Sequence, residues 1–352
     1  MTAWSQCWAT LKDTTCRDRA IAFVAELAKC QANNAAKGYA TGYLGGFPES
    51  EFTLLENRTL SNGNVPYYVL HKTLQGLLDV WRWTGDATAK NVTLALAGWV
   101  DTRTARLSSS VMQTMLGTEF GGMNEVLANV YYMTGDTRWT TAAARFDHAA
   151  VFDPLASNTD SLNGLHANTQ VPKWIGAARE FKATGTTRYQ TIARNAWNMA
   201  VNAHTYAIGG NSKAEHFGPA NGIAGYLSTD TAEACNTYNM LKLTRELWSM
   251  SPSSAIYFDF YERALYNHLL GQQDPSSAHG HITYFTPLNP GGRRGVGPAW
   301  GGGTWSTDYD SAWCCQGTGG TFWGTLGGIH VADYHLLHFL AIPTDTGKLI
   351  SS

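Results

Sequence analysis

Apolar residues recur every three or four positions in several long runs. Leu70, Leu74, Leu77, Leu78 and Trp81 form one, and Met123, Val126, Leu127, Val130 and Tyr131 a second. Tyr189, Ile192, Ala193, Ala196, Trp197, Ala200 and Val201 form a third. This spacing gathers the apolar side chains on one face and predicts amphipathic α-helices. The runs are punctuated, at intervals of fifty residues, by Thr84-Gly85-Asp86, Thr134-Gly135-Asp136 and Thr184-Gly185-Thr186. In each triplet the glycine suits the left-handed position that ends a helix, and the following Asp or Thr can cap the next one. A fourth hairpin is predicted around Ser251-Pro252-Ser253, between Met240 to Trp248 and Ile256 to Leu270. Thr14 to Cys30 reads as the second half of an earlier hairpin whose first helix is reduced to about Trp4 to Leu11.

Helical hairpins repeated at this period either stack into an open solenoid or close into an α/α toroid. The connecting segments 35–65, 105–118, 151–165 and 205–229 are long and rich in Gly, Asn, Ser and Thr, too elaborate for a plain solenoid. They are where a pocket would be built. From Gln272 to Trp313 the helical period gives way to Gly, Pro and aromatics, and we expect an irregular excursion with short strands near Ile282 to Phe285.

With 352 residues, 44% hydrophobic and 15% charged, the chain can fold as one large or two ordinary domains. Its 25 basic and 27 acidic residues are mixed along the sequence, so no basic stripe points to nucleic acid. No apolar stretch reaches the length of a membrane span, and the N-terminus lacks the pattern of a signal peptide. Location is left open. Six cysteines are too sparse for a disulfide scaffold, and Cys7, Cys16 and Cys30 either include one disulfide or are core thiols. The 13 Trp, 16 Tyr and 13 Phe would suit a sugar site, although most belong in a core.

Candidate chemistry concentrates in Cys314-Cys315, read with Glu233 and Cys235 upstream. Three sulfurs and one carboxylate complete a tetrahedral zinc shell. The spacing is not that of a standard zinc finger, and three unrelated buried thiols are the plain alternative. A zinc-bound cysteine is a thiolate, so Cys314 or Cys315 could act as a nucleophile as well as a ligand. A retaining glycosidase needs such a nucleophile and a general acid, for which Glu215, Glu233 and Glu125 are candidates. Glu233 is better used as a ligand. Glu215 sits in the non-helical loop 209–218, where His216 and Phe217 are expected to desolvate it and raise its pKa. His71 and His166 occupy comparable helix starts in their hairpins, where imidazoles can bond sugar hydroxyls or serve only as caps. Asn124 and Glu125 hold the same kind of position.

Eight stretches together resemble the β-L-arabinofuranosidase families of glycoside hydrolases: VPYYVLHK (65–72), GGMNEVLANVYYMTGD (121–136), GLHANTQVPKWIGAAR (164–179), YAIGGNSKAEHFGP (206–219), STDTAEACNTYNMLKLTRELW (228–248), YERALYNHLLGQQDP (261–275), TYFTPLNPGG (283–292) and SAWCCQGTG (311–319). The resemblance implies an all-α (α/α)6 barrel over residues 1–333, with zinc held by Glu233, Cys235, Cys314 and Cys315. It further implies Cys314 as nucleophile, Glu215 as acid/base, and His71, His166 and Tyr284 as substrate contacts. The expected reaction is release of a terminal β-L-arabinofuranosyl residue, with retention, from an arabinosylated glycan or glycopeptide. Members of the family begin with an extra helix and a Gly-His-rich loop and continue into β-sandwich domains. The barrel is therefore expected to be incomplete, with 334–352 the start of a truncated sandwich. Export is common in the family. Two other readings are a catalytically impaired sugar-binding barrel with a structural zinc, and another α/α-toroid enzyme that needs no zinc.

Overall fold

The chain carries its helical spacing into thirteen α-helices among the residues that the computed structural model describes, namely 1–118, 121–278, 280–296, 304–308 and 314–315. It divides into two compact units. The described part of the first is Met1–Ser108 with Val126–Ala142, and that of the second lies within Ser109–Glu125 and Ala143–Cys315.

In the first unit, α1 (Thr2–Leu11) and α2 (Thr14–Asn34) form a hairpin joined by a disulfide between Cys7 and Cys16. Helix α3 (Glu49–Glu56) precedes α4 (Pro66–Thr84) and α5 (Ala87–Ala105). The first triplet works as its sequence predicts. Gly85 ends α4 at φ 75° with its N–H on the Trp81 carbonyl, and the Asp86 side chain accepts from the Ala89 N–H at 2.7 Å. Leu70, Leu74, Leu77 and Leu78 are buried, as are Val92, Leu96 and Val100 of α5. Beside them Phe52 packs edge-on to Tyr67 and Trp99, with centroids 4.9 and 5.0 Å away. Arg103 donates to Glu56 at 2.6 Å under this cluster, so its buried charge is paired.

In the second unit, α6 (Ser109–Leu116), α9 (Ala149–Ala156), α10 (Ala167–Thr184), α11 (Thr187–Ala203), α12 (Ala234–Met250) and α13 (Ala255–Ala264) are laid down as hairpins. Helices α7 (Met123–Thr134) and α8 (Arg138–Ala144) run across the division in sequence. Every residue of α10 from Ala167 to Glu180 is buried, which marks an inner helix. Trp197 of α11 donates from Nε1 to the Thr244 hydroxyl of α12 at 2.8 Å. Gly185 again ends its helix in the left-handed conformation, but the Thr186 hydroxyl does not cap α11 and pairs with Thr184 instead.

Buried ionisable groups lie deep in this unit. Asp147 and Glu180 hydrogen-bond each other, with Tyr189 donating to Asp147 at 2.6 Å and Asn124 to Glu180 at 3.3 Å. Burial raises Asp147 to about 6 and pushes Glu180 well up, the latter further because of Asp147. Next to them His148 meets the Lys173 ammonium at 2.8 Å, and burial followed by that charge lowers the imidazole to about 4.

Two expectations need correction. Three of the connecting segments are not plain loops, since they contain α3, α6 and part of α9. The excursion after Gln272 forms no strand among the described residues. An isolated bridge between Gln273 and Ile282 stands where short strands were expected, because the backbone turns to serve α12 rather than a partner strand. The segment 334–352 lies outside the described residues. No helix among the described residues is long and apolar enough to cross a membrane.

Candidate active site

The first turn of α12 builds one side of the site. Glu233 is its N-cap residue and Cys235 is the second residue of the helix, so both side chains leave at the helix N-terminus. Backbone bonds fix this entry: Ala232 N–H to Ser212 O at 3.1 Å, Ala234 N–H to Tyr284 O at 3.1 Å, and Thr286 N–H to Thr231 O at 2.9 Å. Cys235 Sγ lies 3.4 Å from Cys314 Sγ and 3.1 Å from Cys315 Sγ, while Glu233 Oε1 lies 3.9 and 3.8 Å from the same two sulfurs. A tetrahedral cation with metal–sulfur bonds of about 2.3 Å spans ligand edges of about 3.7 Å. The four separations, from 3.1 to 3.9 Å, lie on both sides of that figure, and the group could hold a metal ion. Its chemistry calls for one. Glu233 and Cys315 are fully buried and Cys235 nearly so. Burial, and then the neighbouring thiols and Glu233, push the Cys235 and Cys315 thiols well above their ordinary range, an arrangement that a cation reverses. Cys314 is the exposed member.

Glu215 comes from the loop between α11 and α12. Ser212, Ala214 and Glu215 all adopt positive φ (75°, 43° and 67°), a strained path for non-glycine residues. It is held by bonds on both sides, Ala167 N–H to Glu215 O at 2.7 Å and Ala214 N–H to Asp230 O at 2.9 Å. The Glu215 carboxylate meets His166 Nε2 at 3.2 Å and accepts a short hydrogen bond from the Tyr284 hydroxyl. That hydroxyl is also 3.8 Å from Cys314 Sγ. Glu215, His166, Tyr284 and Cys314 therefore form a connected set.

The expected rise in the Glu215 pKa is overturned. The bond from His166, opposed by partial burial and supported by Tyr284, holds the carboxyl below its usual value. His216 is exposed and Phe217 packs on Trp174, so the sequence neighbours do not desolvate it as expected. His166 is the N-cap residue of α10 but makes no capping bond, its ring being turned to Glu215. Glu125 pairs with Lys242 at 2.8 Å; burial lowers the ammonium most, but Glu125 and Tyr238 together hold it above its usual value. Asn124 is spent on the Lys173 carbonyl and Glu180. His71 lies in the first unit, in α4, with its ring 5.1 Å from Tyr68.

Sequence reading missed a buried polar set behind the site. His268, within a π-helical turn at Leu265–Leu269, is fully buried and bonded to Thr237 and Gln272. A histidine between Leu265 and Leu269 was the signal available, and it reads as an apolar face.

The family described as β-L-arabinofuranosidase, GH127 catalytic domain, matches residues 1–328. No curated protein sequence matches the chain. Among solved structures, a GH127 β-L-arabinofuranosidase from Geobacillus stearothermophilus T6 is 17% identical with a TM-score of 0.62, covering 81% of this chain and 47% of its own. A second GH127 β-arabinofuranosidase is 18% identical with a TM-score of 0.68, covering 93% and 51%. A family 88 glycosyl hydrolase from Bacteroides vulgatus is 13% identical with a TM-score of 0.55, covering 96% and 90%. The chain thus spans about half the length of the two arabinofuranosidases, and these likenesses show a shared all-α fold of the α/α class. With the match running through α12 and all three cysteines of the cluster, the chain belongs to the GH127 β-L-arabinofuranosidase family.

Proposed function

We propose that this chain is the catalytic domain of a retaining glycosidase that releases terminal β-L-arabinofuranosyl residues from an arabinosylated glycan or glycopeptide. The observation that supports it most is the convergence of an exposed thiol and a carboxylate on one hydroxyl, Cys314 and Glu215 on Tyr284. A retaining enzyme needs a nucleophile and an acid/base close together on the two sides of the glycosidic bond. Zinc is the cation that best suits one carboxylate and three sulfurs, with Glu233, Cys235, Cys314 and Cys315 as ligands. When bound, it would keep Cys314 deprotonated at neutral pH.

Cys314 Sγ attacks the anomeric carbon as the bond to the leaving oxygen breaks, and Glu215 gives that oxygen its proton. Glu215 then takes a proton from water as the water oxygen displaces the sulfur, restoring both groups. In the resting site Glu215 is held ionised by His166 and Tyr284, which suits the second half of this cycle. A sugar that takes over the His166 and Tyr284 bonds removes what lowers its pKa, and so favours the protonated form needed in the first half. His166 and Tyr284 are the substrate contacts in this reading.

The test is hydrolysis of p-nitrophenyl β-L-arabinofuranoside by protein of measured zinc content. Turnover that follows about one zinc per chain, and retention in the released sugar, are expected. Bound zinc without turnover would identify a sugar-binding domain with a structural metal.

A further inference from the structure

Four segments of the second unit meet at the imidazole of His268. Its Nδ1 lies 2.9 Å from the Thr237 hydroxyl, two residues beyond Cys235 in α12. Its Nε2 lies 2.8 Å from Gln272 Nε2, in a 3-10 turn (Leu270–Gln272) that follows the π turn. Gln272 also donates to the Thr286 hydroxyl at 3.1 Å and accepts from the Thr283 hydroxyl, and so grips both sides of Tyr284. On the ring itself rests Gly210, where a Cβ would come within 2.9 Å of Nδ1, and Gly210 begins the path to Glu215. The widened π turn is what places the ring inward at this junction.

The pattern of donors permits one arrangement. Burial, and then Arg294, hold the imidazole down at about 3, so it carries a single proton. Both Gln272 amide hydrogens are used, on His268 Nε2 and Thr286, and its oxygen is used by Thr283. Nδ1 therefore bears the ring proton and faces the Thr237 hydroxyl, and the ring also bonds the Ala232 backbone, next to Glu233. A fully satisfied buried network of this kind fixes its members against one another.

We propose that His268, together with Thr237 and Gln272, is a positioning device that holds the ligand pair Glu233 and Cys235 in register with Tyr284 and the Glu215 loop. This rests on the metal-thiolate reading above. None of the three touches substrate, and each acts through a neighbour. Groups behind a metal site commonly change metal affinity or activity by roughly 10- to 100-fold when lost.

The experiment compares zinc affinity, by competition with a chromophoric chelator, and kcat and KM for the aryl arabinofuranoside, in the wild type, Thr237→Val, Thr237→Ser and Gln272→Leu. Thr237→Val is nearly isosteric and removes the hydroxyl that faces Nδ1. It is expected to lose about 10- to 100-fold in zinc affinity, and to lower kcat with little change in KM. Thr237→Ser restores both, Gln272→Leu repeats the loss, and the double variant falls by less than the product of the two single effects. Variants that melt earlier but keep wild-type zinc affinity and kcat would assign the network to stability alone and overturn the proposal. Wild-type protein that binds zinc without turning over the arabinoside sinks the substrate reading, and the affinity comparison still decides this one. Wild-type protein that binds no zinc overturns both.

Discussion

Replacing Asp147 with Asn should stabilise the protein in a pH-dependent way. Asp147 lies against Glu180 and Tyr189 in the second unit, and burial raises its carboxyl from 3.8 to about 6. Between those values the folded chain holds a proton that the unfolded chain has released. Stability from this group is thus complete below pH 4 and is lost as the pH rises through 6. A shift of about two units corresponds to roughly 3 kcal/mol. The raw pH profile will not show this, because His148 and His268 act in the opposite sense. Their imidazoles, lowered to about 4 and about 3, stay neutral in the fold where the unfolded chain takes up protons below 6.5, so their contribution grows as the pH rises. The difference between Asp147→Asn and wild type cancels both. Urea unfolding at pH 4, 5, 6 and 7 is the assay. The two proteins should be nearly equal at pH 4, with the variant ahead by about 3 kcal/mol at pH 7. A difference that stays constant with pH would show that Asp147 titrates normally and that the carboxyl pair shares no proton.

Three further outcomes are expected. Cys314→Ser should lower turnover on the order of a thousandfold or more while the remaining ligands still bind zinc, as metal analysis and kinetics on one sample will show. Glu215→Gln should lose roughly 10²- to 10⁴-fold on alkyl arabinofuranosides and much less on the p-nitrophenyl substrate, whose leaving group needs little protonation. Phe52→Ala should cost about 3 to 5 kcal/mol in denaturant unfolding, since its ring is buried against Tyr67 and Trp99.

The hairpins could be read from the sequence because each is a local pattern. The spacing of Leu70 to Trp81 and the left-handed turn at Gly85 each involve residues within one or two helical turns. The group of Glu233, Cys235, Cys314 and Cys315 that could hold a metal was readable for another reason, as few residue types ligate and the cysteines are scarce. The electrostatics of Glu215 were not readable. They depend on His166, 49 residues away, and Tyr284, 69 residues away, whereas its sequence neighbours His216 and Phe217 turn elsewhere. His268 was hidden for a similar reason, since its partner Thr237 is 31 residues distant and its own surroundings are apolar.

The first hairpin carries a disulfide, while the metal site proposed around Cys235, Cys314 and Cys315 needs its sulfurs reduced, so the maturing chain has to sort its thiols. Chain geometry favours the correct outcome. Cys7 and Cys16 are 9 residues apart, whereas Cys235 is separated from Cys314 and Cys315 by 79 and 80. Closing the longer loop costs about 2 kcal/mol more in the unfolded chain, so the short pair meets about 25 times as often. Once folding brings Cys235 within 3.4 Å of both others, that protection by distance is gone. In the metal-thiolate reading, a cation captured at that moment would mask all three sulfurs from oxidants, so the order of metal loading and oxidation would decide how much of the newly made protein matures correctly.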